Sequence, residues 1–142
     1  MSLPRTAAAV IAAGRLAFGV GLFAVPERIA SGWLGPDAGR APAKIALRGL
    51  GARDIAISAG TLAALRGDDD RLAQWVAAAI GCDASDVLAT LLAPGDALPG
   101  NARWGTVALG GGTALAGVAV LTALRRKGTG RIVDPGEHRR QS

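Results

Sequence analysis

Trp104 to Leu124 reads WGTVALGGGTALAGVAVLTAL, a stretch of 21 residues without one charged side chain. At a rise of about 1.5 Å per residue, a helix of that length crosses the hydrocarbon core of a bilayer. In lipid, a helix is the open-chain structure that satisfies its own backbone hydrogen bonds. This stretch therefore decides the fold class: all-α and membrane-embedded. Three apolar runs of similar length precede it, at about residues 6–25, 45–65 and 72–93, so the spacing predicts a four-helix bundle with spans at those positions and at 104–124. Breakers mark the connectors: Pro26, Gly32, Gly35, Pro36 and Pro42 in the first, Gly67 with Asp68, Asp69 and Asp70 in the second, and Pro94, Gly95, Pro99 and Gly100 in the third. Four such spans leave no room for a separate soluble domain, which gives a membrane domain over 1–127 and a basic tail over 128–142.

The chain has 142 residues, half of them apolar, and a formal charge of +5. A basic balance suggests nucleic acid, but the positions of the charges argue otherwise. Arg5, Arg66, Arg71 and six basic residues from Arg125 onward make nine on one side of the membrane; Arg28, Arg40, Lys44 and Arg103 make four on the other. By the positive-inside rule both termini face the cytoplasm and the chain is a multi-pass protein of the cell membrane. The excess charge is then a topology signal, and no nucleic-acid partner is expected: aromatic stacking residues and a compact basic domain are both missing. Trp33 and Trp104 are expected at the outer interface and Trp75 at the inner one. Arg15 in the middle of the first run argues against a cleaved signal peptide. Cys82 is the single cysteine, so an intramolecular disulfide is excluded.

Inside the spans remain Arg15, Arg48, Arg53, Asp54, Asp83 and Asp86, three basic and three acidic. Each unpaired would cost about 2.5 to 3.5 kcal/mol at a helix centre, so they must be paired or hydrated. Alternating helix direction brings Arg15, Arg53, Asp54 and Asp83 to one depth near the bilayer middle and moves Arg48 and Asp86 toward the outer face. The expected pairs are Arg48 with Asp86, and Arg15 or Arg53 with Asp54 and Asp83. Asp83, Asp86 and Thr90 follow at three and four residues and form one polar stripe. Arg53 and Asp54 point about 100° apart and so address different neighbours. Small residues at Ala13, Ala17 and Gly21, at Gly49 and Gly51, and at Ala108, Gly112 and Ala116 suit close helix approach. The Gly-rich last span reads as a packing wall or a homo-oligomer contact.

The stretch GLGARDIAISAG, Gly49 to Gly60, carries a resemblance. Its Gly51-x-Arg53-Asp54 core, a first span with Arg15 and then Pro26, the Gly-rich connector Gly32 to Gly35, and an aspartate in the third span resemble a family of small bacterial and fungal four-helix membrane proteins known only as a domain of unknown function. The resemblance covers roughly residues 6–125 and implies four membrane helices; it implies no activity.

Two readings of the charge cluster are open, of which the ligand pocket leads and the structural network is the alternative. In one, a salt-bridge network fixes helix register and the protein is a structural or accessory membrane subunit. In the other, a polar pocket takes an anionic or polyoxygenated group of a small amphipathic ligand, with Arg15, Arg48 and Arg53 as binding residues. As an enzyme, such a pocket would use Asp83, Asp86 or Asp54 for acid/base chemistry, in an isomerisation, a cyclisation or an epoxide opening. A Ser-His or Cys-His nucleophile is unavailable because the one histidine, His138, lies in the tail. Asp83 and Asp86 also match a two-carboxylate Mg²⁺ pattern, but Mg²⁺ wants more oxygen ligands and the arginines compete. No metal and no cofactor are expected. A transporter would require a dimer, four helices being too few to enclose a pathway.

Overall fold

The computed structural model describes residues 1–129. Among them, all regular structure is helical: α1 (Leu3–Ala24), α2 (Pro26–Leu34), a 3₁₀ turn (Gly35–Gly39), α3 (Ala41–Ala64), α4 (Asp69–Leu92) and α5 (Ala102–Thr129). The region 130–142, most of the expected tail, lies outside the described residues, while Arg125 to Lys127 belong to the last turns of α5. Three helices, α1, α4 and α5, are long and apolar enough to cross a membrane. The second expected span, α3, has the length but carries Arg48, Arg53 and Asp54.

The first connector is a correction. Residues 26–39 were expected as an irregular link, yet they form α2 and the 3₁₀ turn. The prolines that read as breakers are starters: Pro26, Pro36 and Pro42 each occupy the first turn of the element they open. There the missing N–H has no helical partner to lose and the fixed φ is already helical. Val25, at φ −132° and ψ 58° ahead of Pro26, leaves the helical region and ends α1. Gly35, at φ +57°, ends α2 in the left-handed region that favours glycine. Asp68 starts α4: its side chain accepts the Arg71 backbone N–H at 2.7 Å, so the acidic run is a helix cap.

The most extensive packing joins α1 to α3 and α4 to α5, so the molecule is two helix pairs. Between α1 and α3 the backbones touch. A Cβ on Gly51 would lie 2.6 Å from the Gly19 carbonyl oxygen, and one on Gly19 would lie 2.9 Å from that of Gly51. The expected small-residue stripe was one face off: Ala13 and Ala17 are exposed, and the packing face runs through Ala8, Ala12 and Gly19. In the same way Ala108, Gly112 and Ala116 stay exposed on α5, while Gly110 and Gly117 meet Val87 and Ile80 of α4.

Trp75 packs inward. Its ring packs on Gly60, where any Cβ would come within 2.5 Å, and it flanks a core. That core comprises Ala8, Ala64, Leu72, Ala73, Val76, Val120 and Leu124; a second one, of Leu22, Ala30, Ala38 and Leu47, gathers α2 and the 3₁₀ turn at the other end. Along α1 and α3 the charged residues fall between the two.

Candidate functional site

Five of the six charges expected inside the spans form one chain of contacts. Arg15 on α1 donates to Asp83 on α4 at 2.5 Å and to Asp54 on α3 at 3.4 Å. Arg53 on α3 reaches Asp86 on α4 with two nitrogens, at 2.9 and 2.7 Å, the forked geometry that suits a guanidinium and a carboxylate. It also donates to Asp54 Oδ1 at 3.1 and 3.3 Å. The order is Asp83, Arg15, Asp54, Arg53, Asp86, and both ends are on α4. The two strongest links, Arg15 to Asp83 and Arg53 to Asp86, run from the α1–α3 pair to α4 of the other pair. Charge, more than apolar contact, joins the two halves at this level.

The local sequence explains the arrangement. Gly51 lets α3 lie against α1, Asp54 follows three residues later on the same face, and Arg53, turned by about 100°, addresses α4. The Gly51-x-Arg53-Asp54 motif thus supplies the backbone contact, the charge toward α1 and the charge toward α4. Exposure is graded along the chain. The side chains of Asp54, Asp83 and Arg15 are 5, 8 and 9 % exposed, whereas Arg53 and Asp86 reach 28 and 37 %. The network is closed at Arg15 and open at Asp86.

Arg48 does not belong to it. The expected Arg48–Asp86 pair is replaced by Arg53–Asp86, because Arg48 lies about a turn and a half nearer the start of α3. There its Nε donates to the Phe23 carbonyl at 3.3 Å and closes the end of α1. Two other arginines act alike. Arg5 donates to the Leu65 and Gly67 carbonyls past α3, and to Asp69 at 2.5 Å. Arg103 donates to the carbonyls of Thr90, Leu91, Ala93 and Pro94 at the end of α4. Each meets carbonyls that a helix end leaves without a partner, and places positive charge at the negative end of the dipole. For Arg5 and Arg103 the sequence signal was simply a basic residue near a helix end, read there as topology alone.

With Arg48 removed, the network has two arginines and three aspartates, an excess of one carboxylate, where a neutral set of six had been expected. That charge does not suit an anionic ligand. A cavity of about 20 Å³, lined by Arg15, Ser58 and Thr61 among apolar neighbours, adjoins the closed end. It has the size of a single water. Arg15 Nε and Ser58 Oγ are buried beside it without a protein partner. Thr90, expected in the polar stripe, is buried and gives its hydroxyl to the Asp86 carbonyl of its own helix at 2.8 Å. Asp83 and Asp86 are held by different arginines, which leaves no shared two-carboxylate face for a metal. Comparison with family models, with curated proteins and with solved structures gave no match in any of the three.

Proposed function

We propose that the chain is a multi-pass cell-membrane protein in which α1, α3, α4 and α5 cross the bilayer with both termini in the cytoplasm. In it the arginine–aspartate chain is a non-catalytic clasp of a structural or accessory subunit. One observation carries the reading: Arg15, Asp54 and Asp83 are each under a tenth exposed and bonded to one another across three helices. Such a group fixes register and depth. It also supports counting α3 as a span, since Arg53 and Asp54 are compensated and Arg48 sits near the end of α1. The resemblance to the small four-helix membrane family is part of this reading, because its motif residues are those by which α3 touches α1 and α4.

Breaking a buried pair by removing one partner costs about 3–5 kcal/mol, while removing both charges is often close to neutral. Asp83→Asn is therefore expected to lower accumulation in the membrane and the melting temperature in detergent, and Arg15→Gln added to it to restore part of both. Wild-type accumulation and melting of Asp83→Asn alone would refute the clasp. Reporter fusions at the C-terminus test the topology.

A second reading is favoured by the open end. Arg53 and Asp86 are 28 and 37 % exposed and offer a polar grip to the head of a small amphipathic molecule. With one carboxylate in excess, a hydroxyl or cationic head fits better than a carboxylate or phosphate. Any acid/base conversion would fall to Asp86, the accessible carboxylate. On this reading Asp86→Asn abolishes binding while leaving melting within about 1 kcal/mol of wild type, as an exposed pair allows.

A further inference from the structure

The cleft where Arg48 does lie has a chemistry of its own. It is an open cavity of about 390 Å³ between the end of α1, the start of α2 and the first two turns of α3, within the size range of ligand sites. Glu27, Arg28, Lys44 and Arg48 line it. Lys44 and Glu27 pair at 2.8 Å and cancel. Arg28 and Arg48 enter no ion pair among the described residues, which leaves two positive charges on the cleft. Arg48 uses Nε on the Phe23 carbonyl, so the terminal fork of its guanidinium remains for a ligand. A fork of that kind recognises a planar or tetrahedral oxyanion.

The surroundings specify what carries the oxyanion. Phe23, whose carbonyl holds Arg48, is 51 % exposed; Val25 is 43 % exposed, and Ile45, one turn before Arg48, is 71 % exposed. Two unpaired cations thus stand on the cleft at the point where an apolar helix of 22 residues ends, with Val25 in its lining and the exposed Phe23 and Ile45 on the adjoining turns. A free anion has no use for exposed apolar side chains so near, and an acyl chain does.

We propose that this cleft binds the phosphate of a phospholipid headgroup, with Arg28 and Arg48 on the phosphate and Phe23, Val25 and Ile45 along the acyl chains. The proposal rests on the membrane reading of α1. The test is native mass spectrometry of the full chain released from detergent, with phosphatidylglycerol, phosphatidylcholine and inorganic phosphate as probes. One phosphatidylglycerol is expected to stay bound, and the Arg28→Gln/Arg48→Gln variant to weaken its retention about ten-fold or more, since each basic group near a lipid surface contributes substantially. Arg28→Gln alone, at a side chain with no ion pair or hydrogen bond among the described residues, is expected to weaken it several-fold with unchanged melting. Arg40→Gln, which removes the same charge from an exposed arginine beside Asp37, is expected to change nothing. Equal retention by wild type and the double variant, an equal loss in Arg40→Gln, or displacement of the lipid by millimolar inorganic phosphate would each overturn the proposal. Failure of the wild-type chain to partition into membranes would instead overturn the membrane reading beneath it.

Discussion

Replacing Gly51 by alanine tests whether the α1–α3 contact holds the network in place. A Cβ at Gly51 would stand 2.6 Å from the Gly19 carbonyl oxygen, 2.8 Å from the Phe23 nitrogen and 3.1 Å from Leu22 Cβ. Two of these atoms are backbone and cannot rotate away. Ordinary contact begins at 3.4 Å, so the helices must part by roughly 0.8 Å at this point. The Arg15–Asp54 contact, already 3.4 Å long, would then stretch beyond useful range, while Arg15 keeps Asp83. Overpacking of this kind costs about 1–3 kcal/mol, and the lost contact adds on the order of 1 kcal/mol. Against this stands the helix propensity gained on replacing glycine, about 0.5–1 kcal/mol.

Gly49 supplies the control. It lies two residues away on the same helix, and a Cβ there meets nothing within 4 Å, so Gly49→Ala keeps the propensity gain without the clash. The expected results are a Gly51→Ala variant destabilised by about 1–3 kcal/mol and a Gly49→Ala variant stabilised by up to about 1 kcal/mol. Thermal unfolding of the purified chain in one mild detergent, followed by tryptophan fluorescence, measures both. If the two alanines shift the transition in the same direction by the same amount, the backbone contact is not what sets the α1–α3 distance.

Two other substitutions probe different joints. Gly60→Ala drives a methyl into the Trp75 ring, within 2.5 Å of three of its atoms, and is expected to cost about 1–3 kcal/mol and to change the Trp75 emission, read by fluorescence against Trp75→Phe. Arg103→Ala leaves four carbonyls at the end of α4 without their donor. Faster amide exchange over residues 90–93 is expected, with about 1–2 kcal/mol lost overall and exchange in α1 unchanged.

Much of this architecture was legible in the residues. The helical class, the positions of the long helices and the gathering of Arg15, Arg53, Asp54 and Asp83 follow from apolar run length and from the need to pair charge at matched depth. Helix rotation was not legible. Choosing Ala13 and Ala17 over Ala12 and Gly19 needs the direction of the neighbouring helix, and in a chain this rich in small residues every face offers a plausible stripe. Arg48 was misplaced for a related reason: depth alone allows a pair with Asp86, but Arg53 is nearer the helix middle and its long side chain takes that carboxylate first. The prolines misled because their meaning depends on position. At the first turn of a helix Pro26, Pro36 and Pro42 stabilise what they would break further in.

The division into two helix pairs joined by charge bears on how the chain is made. Synthesis delivers α1 and α3 first, with Arg15, Arg53 and a single acidic partner, Asp54. The carboxylate that Arg15 binds most closely lies 68 residues downstream, and the one that Arg53 grips lies 33 downstream. Until α4 emerges, the nascent hairpin holds one positive charge more than it can neutralise, at a cost of about 2.5–3.5 kcal/mol if it lies in lipid. If these helices span the bilayer as proposed, completion of the network coincides with insertion of α4, and a chain cut short before Asp83 carries an arginine in lipid that the finished chain neutralises.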